Sequence, residues 1–278
     1  MTRIEIIQLL FFYRRGRISV GIYFAKMKKE AAEALTQIVC HRGYSGRYPE
    51  NTLLAFQKAL DTGAEGMELD VHLSKDGEVV SLHDELLDRT TDGTGFVRDY
   101  TLAELKKLNA AKRSREKFGF QPIPTLREYF ELVQGTGIHT NIELKTGTFD
   151  YPGLEEAVWD LIREYRQEDR VLISSFHAQS LLRMHELAPE LPCGLLNKDA
   201  LPNAGRVICS LGFQAYHPHF IRLTPGLIRD LKAHNLEINT YVPNGPATLA
   251  YLFAQDVSSV ITNYPERALR LRRAMQGK

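Results

Sequence analysis

Two histidines, three carboxylates and two cations stand at the ends of four short apolar runs. The first run, Gln37–Cys40, leads into His41-Arg42. The second, Gly66–Val71, carries Glu68 and Asp70. The third, Val79–Leu82, is followed by His83-Asp84. The fourth, Thr140–Leu144, carries Glu143 and is followed by Lys145. Residues i and i+2 of a strand share a face, so Glu68 and Asp70 point the same way, as do Glu143 and Lys145. If those faces turn to a common interior, three carboxylates converge. Two like charges about 5 Å apart repel by roughly 3 kcal/mol at an effective dielectric near 20. Either some of them are protonated or a cation sits among them. An all-oxygen donor set suits Mg²⁺ or Ca²⁺ rather than zinc. The alternative is a set of salt bridges to Arg42 and Lys145 that closes one end of the fold and does no chemistry.

His41 and His83 favour chemistry. Imidazole titrates near neutral pH, and two such rings flanking a carboxylate cluster suit a general acid and a general base. Arg42 and Lys145 then offer positive charge to an anionic substrate, the guanidinium being suited to bidentate contact with phosphate. Acids that hold a metal, paired imidazoles and cations together describe phosphoryl transfer better than acyl transfer. Other motifs say less. "SSFH" (Ser174–His177) lacks the nucleophile elbow of a serine hydrolase. "HPHF" gives His217 and His219 at i, i+2, and a place at the rim of a substrate pocket suits them better than metal ligation. The glycines of "DGTGF" and "GTGIH" read as turns, and the basic run Lys106–Lys117 as a solvated face.

These residues need a frame. From residue 36 onward short apolar runs alternate with amphipathic, helix-period runs, which predicts a parallel sheet covered by helices. Further strands are expected at Val171–Ser174, Cys193–Leu196, Phe213–Tyr216, Glu237–Tyr241 and Val257–Ile261. Helices are expected at Thr52–Asp61, Thr125–Val133, Gly153–Arg166, Ala178–Leu187, Pro225–Ala233, Ala247–Ala254 and Pro265–Met275. Eight or nine strands with single helices between them fit a (β/α)8 TIM barrel, whose strand ends share one catalytic mouth. The rival, a doubly wound open sheet, is weakened because no Gly-rich dinucleotide loop follows the first strand. The long stretch 84–124 breaks the rhythm and reads as an insertion after the third strand. Asn51 or Thr52 suits the cap of the first helix, and Glu50 either reaches the site or braces its loop.

Composition sets bounds. The chain has 278 residues, 44% hydrophobic and 25% charged, with a formal net charge of +1, which offers no bulk electrostatic surface for nucleic acid. Cys40, Cys193 and Cys209 are odd in number and far apart, which favours reduced thiols. Residues 1–36 read as an N-terminal extension, helical or dispensable, ahead of a barrel domain at 37–278. Its apolar runs Ile4–Tyr13 and Ile18–Ala25 are split by Arg14, Arg15 and Arg17, and each is too short to cross a bilayer. Residues 1–29 could instead rest weakly on an anionic membrane surface. With no signal-peptide pattern, the expected compartment is cytoplasmic.

The motifs "HRGYSGRYPENTLLAF", "GMELDVHLSKDGEVVSLHD", "DRTTDGTG", "IPTLREYFE", "NIELK" and "ITNYPE" occur in an order that resembles the glycerophosphodiester phosphodiesterases, over about Ile38 to Pro265. The resemblance implies a (β/α)8 barrel with a small insertion after the third strand. It implies metal-dependent hydrolysis of glycerophosphodiesters to an alcohol and sn-glycerol 3-phosphate. By matching motif, His41 and His83 would be the acid–base pair. Glu68, Asp70 and Glu143 would hold Ca²⁺ or Mg²⁺, Arg42 would bind phosphate, and Lys145 would assist there. Two positions depart from the family pattern: "INTYVPN" puts Tyr241 where the family often has tryptophan, and "ITNYP" has Asn263 in place of an aspartate. Both are expected to lie away from the metal and histidine motifs, with Tyr241 and His217 in the substrate pocket. Two further functions are carried beside the main one. The first is a lysophospholipase D acting on lysolipids at a membrane surface, and the second a non-catalytic barrel that binds phosphodiesters or a partner.

Overall fold

A computed structural model describes residues 35–112 and 115–276. The expectations for residues 1–34 lie outside the described residues. The strands are β1 (Gln37–His41), β2 (Gly66–Leu73), β3 (Val79–Ser81), β4 (His139–Leu144), β5 (Val171–Ser175), β6 (Cys193–Asn197), β7 (Ala215–Pro218), β8 (Glu237–Tyr241) and β9 (Ser259–Thr262). They run in the order β1-β9-β8-β7-β6-β5-β4-β2, all parallel, and β2 pairs back to β1 to close an eight-stranded barrel. The expected TIM barrel is therefore present. β3 is the exception: it pairs antiparallel with β2 through Leu73–Val79 and lies outside the closed wall. Only a short turn separates β2 from β3, too short for the crossover a parallel neighbour requires. The insertion that follows β3 packs Leu87, Val97, Leu105, Ala110 and Ile123 against Val80 of β3 and Leu82 just after it, in an apolar cluster separate from the main core.

Helices cover the barrel. They are α1 (Leu53–Leu60), α2 (Leu102–Leu105), α3 (Arg115–Phe118), α4 (Leu126–Val133), α5 (Leu154–Glu164), α6 (Ala178–Leu187), α7 (Ala204–Ser210), α8 (Pro225–Ala233), α9 (Pro246–Ala254) and α10 (Pro265–Gln276). Thr52 caps α1 by accepting from the Ala55 amide, and Thr125 closes a capping box with Glu128 on α4. The sequence pattern misses α7, a seven-residue helix with a glycine at its second position and no side-chain cap. It also starts β7 two residues early. Phe213 is not strand: its amide bonds the Ile208 carbonyl and closes the end of α7.

Candidate active site

Strand register places the functional side chains. His41 on β1 lies beside Glu68 on β2, and Asp70 on β2 lies beside Glu143 on β4. Inward-facing residues of adjacent strands thus meet in one layer near the C-terminal strand ends. Ligand oxygens of Glu68, Asp70 and Glu143 lie within 4.8 Å of one another, and all three residues are buried. The expected convergence of carboxylates is present.

The salt bridges weighed against it are present too. Lys145 Nζ lies 2.7 Å from Glu143 Oε1 and 3.6 Å from Asp70 Oδ1, and Arg42 Nε lies 3.3 Å from Asp70 Oδ2. They do not balance the site, because Arg42 also serves Glu50, at 2.9 Å. Asp70 gains most: burial opposes its charge, but Lys145 and Arg42 overcome that and hold its carboxyl below the usual range. Glu68 is left over. Burial, then the charges of Asp70 and Glu143, push its carboxyl well above the usual range, and among the described residues the one donor to its side chain is the Arg42 amide at 2.8 Å. Burial, with Asp70 adding to it, also raises Glu143 against the pull of Lys145. Asp70 Oδ1 is buried without a hydrogen-bond partner. Three convergent carboxylates, one with an orphaned oxygen and one pressed toward neutrality, fit a hard divalent cation.

The loop after β1 is shaped for this work. Arg42 and Gly43 adopt the left-handed region, at φ 54° and 75°. The turn aims the Arg42 amide at Glu68. A Cβ at Gly43 would come within 2.7 Å of the Ala55 backbone, so only glycine lets α1 pack this closely. Of the two residues expected to cap α1, Thr52 does so, and Asn51 donates from Nδ2 to Asp70 Oδ2 at 2.8 Å. Glu50 reaches the site: it accepts from Arg42 and from both terminal nitrogens of Arg89, at 3.0 and 2.7 Å.

The histidines have unlike partners. His83 Nδ1 is 2.5 Å from Asp84 Oδ1, a carboxylate that Arg89 also holds. His41 Nδ1 is 2.6 Å from Asn263 Oδ1, which also accepts from Ser45 Oγ at 3.1 Å. The expectation that Asn263 lies away from the histidine motifs is thus wrong, because Asn263 directly follows β9, and β9 is the strand that pairs with β1. Burial, then the charge of Arg42, pushes His41 down to about 3, so its ring is neutral at physiological pH.

His41, Arg42, Glu68, His83, Glu143 and Lys145 line a cavity of about 540 Å³ at this mouth. Its far wall is Phe176, Lys198, His219 and Tyr241. The Tyr241 ring meets Phe176 edge-on at 5.8 Å and His219 at 5.4 Å, and its hydroxyl donates to the Asn197 carbonyl at 3.0 Å. Tyr241 lines this cavity; His217 does not. β7 runs through Pro218, so His217 is a mid-strand residue facing the barrel interior. It lines a separate cavity of about 210 Å³ with Gln37, Gly66, Glu237 and Asn239, and its Nε2 is 3.1 Å from Asn239 Nδ2. Two residues on, His219 takes the rim position, bridged to Tyr241. Arg89, Asn263, Asn51 and Phe176 join the site without having been picked from sequence, since each arrives through contacts between distant parts of the chain.

The family model described as "Glycerophosphoryl diester phosphodiesterase family" matches residues 41–267. A glycerophosphodiester phosphodiesterase of Caldanaerobacter subterraneus subsp. tengcongensis is 40% identical over 236 residues, covering 85% of this chain and 97% of its own. One of Bacillus altitudinis is 39% identical over 245 residues, covering 87% of this chain and all of its own. Among solved structures, an Oleispira antarctica phosphodiesterase in complex with the product sn-glycerol-3-phosphate is similar at a TM-score of 0.79 and 31% identity. That match covers 87% of this chain and 98% of the other.

Proposed function

The chain belongs to the glycerophosphoryl diester phosphodiesterase family, and on that premise we propose that it hydrolyses glycerophosphodiesters to an alcohol and sn-glycerol 3-phosphate by metal-dependent histidine acid–base catalysis. The observation that carries the reading is the uncompensated carboxylate cluster between two histidines in one open cavity. Glu68, Asp70 and Glu143 would hold the cation, of the Ca²⁺ or Mg²⁺ type, which when bound supplies positive charge to a phosphate oxygen.

The chain's own groups do the rest. Arg42 and Lys145 neutralise the remaining phosphate charge. With Nδ1 of His41 engaged by Asn263 and Nδ1 of His83 by Asp84, each ring has Nε2 left to meet the phosphodiester. One histidine takes the proton of the attacking hydroxyl, which is either water or the substrate's own 2-hydroxyl, the latter passing through a cyclic phosphate. The other protonates the oxygen of the departing alcohol. Tyr241, Phe176 and His219 form the wall against which that alcohol packs.

The test is release of glycerol 3-phosphate from glycerophosphocholine by the wild type and by His41→Ala and His83→Ala. Each variant is expected to lose about 10²–10⁴ in turnover with its fold retained. Full activity in both would overturn the reading. A second reading, lysolipid hydrolysis at a membrane surface, draws on the exposed apolar side chains Leu86, next to mouth residue Glu85, and Ile221, two residues from His219. A strong preference for lysophosphatidylcholine over glycerophosphocholine, reduced on deleting residues 1–26, would establish it. Among the described residues no helix is long and apolar enough to cross a membrane.

A further inference from the structure

Between the two catalytic loops stands one side chain with no place in the chemistry above. Arg89 belongs to the insertion, in the segment "DRTTDGTG". Its Nε donates to Asp84 Oδ2 at 2.5 Å, and its Nη2 to Asp84 Oδ1 at 3.0 Å. The same Nη2 donates to Glu50 Oε1 at 2.7 Å, and Nη1 to Glu50 Oε2 at 3.0 Å. One guanidinium therefore grips two carboxylates, each with both oxygens engaged. Asp84 continues to His83 Nδ1, and Glu50 continues to Arg42 Nη1. The chain of contacts runs His83–Asp84–Arg89–Glu50–Arg42, from one proposed proton carrier to the proposed phosphate cation.

This link has a structural reason. His83 leaves β3, which is outside the closed barrel wall, and the insertion that follows packs on its own apolar cluster. Arg42 leaves β1, inside the wall. The barrel holds the His83 backbone, through the β2–β3 ladder and His72 Nε2 at 3.3 Å from its carbonyl, but among the described residues only Asp84 hydrogen-bonds the His83 ring. We infer that Arg89 is a positioning residue that docks the insertion onto the barrel mouth, orienting His83 through Asp84 and keeping Glu50 from monopolising Arg42. Its planar fork suits this as a lysine's point charge does not. Without it, Glu50 and Asp84 face each other as like charges, and Glu50 competes with phosphate for Arg42.

The inference rests on the proposed function, and its test separates the two. Arg89→Ala is expected to lower kcat/KM for a glycerophosphodiester about 10²-fold, split between a lower kcat (His83 misaimed) and a higher KM (Arg42 drawn to Glu50). Arg89→Lys is expected to recover only part of the loss. In a double-mutant cycle, Arg89→Ala should add little to the kcat loss caused by Asp84→Asn, because both reach His83 through one contact, while its KM effect through Glu50 persists. A readout free of turnover is the ¹⁵N–¹H correlation of the His83 ring, expected to change in Arg89→Ala while the folded amide spectrum persists. An active wild type with Arg89→Ala within about twofold, fully multiplicative losses in kcat, or an unmoved His83 ring signal would overturn this inference alone. A wild type that releases no glycerol 3-phosphate would overturn the proposed function, and the ring signal would still decide the role of Arg89.

Discussion

Replacing Asn263 by aspartate changes one atom type at a decisive place. The Asn263 amide oxygen lies 2.6 Å from His41 Nδ1. Asp70, the Asn263 contact and Glu50 favour the charged ring, but burial and Arg42 outweigh them and push His41 down to about 3. A carboxylate at that position puts a negative charge about 4 Å from the centre of an imidazolium. At an effective dielectric near 20 the pair is worth about 4 kcal/mol, or about 3 pKa units. The half-exposed position of residue 263 and the cost of burying the new charge reduce this, and a rise of about 1–2 units is expected. The sign follows directly. A raised pKa means that His41 holds its proton to higher pH. If His41 accepts the proton in the rate-limiting step, the acid limb of the kcat/KM–pH profile moves upward from about 3, and up to about tenfold activity is lost near pH 4 relative to pH 7. If it donates, the alkaline limb moves upward instead. The assay is glycerol 3-phosphate release from about pH 3.5 to 9, wild type against Asn263→Asp. A profile in which neither limb moves would refute the coupling of residue 263 to His41, and a downward shift would refute the electrostatic reasoning.

Two further predictions concern stability. Glu68 carries a carboxyl raised by burial and by its acidic neighbours, so its ionisation costs stability as pH rises through that raised value. Glu68→Gln keeps an acceptor for the Arg42 amide and removes the charge. In chelator it is expected to melt about 2–4 °C higher for each 1 kcal/mol relieved, and to lose the wild type's gain in Tm on adding Ca²⁺ or Mg²⁺. A lower Tm with the cation response intact would contradict it. At the other end of the barrel, burial pushes His217 down to about 3 from its usual 6.5. Between those values the unfolded chain takes a proton that the folded chain refuses, so stability falls with falling pH. The loss is about 2 kcal/mol between pH 6.5 and pH 5. Urea melts of His217→Gln should show a shallower acid slope by about that amount, and an unchanged slope would count against the assignment.

The chemistry was legible from sequence wherever it depends on spacing along one strand. Glu68 and Asp70 share a face whatever the fold, as do Glu143 and Lys145, and the excess of carboxylates follows from that. Register between strands was not legible. Asp70 meets Glu143 only because β2 pairs with β4 in a particular alignment, with β3 displaced from the wall by its short turn. The same blindness explains the histidines of "HPHF". A two-residue shift in where β7 runs exchanges His217 for His219 at the rim. Asn263 and Arg89 were missed for a different reason. The partner of Asn263 is 222 residues away, and Arg89 joins Asp84, five residues back, to Glu50, 39 residues back, so no local pattern marks a side chain whose role is to hold another.

The account stands on the carboxylate cluster being a cation site that the hydrolysis requires. The most direct measurement is glycerol 3-phosphate release from glycerophosphocholine in EDTA, then with Ca²⁺ or Mg²⁺ restored, for the wild type and Glu143→Gln. The account predicts that the wild type loses activity in chelator and regains it with the cation, and that the variant regains little. Undiminished release in EDTA, or none with any divalent cation, would contradict it.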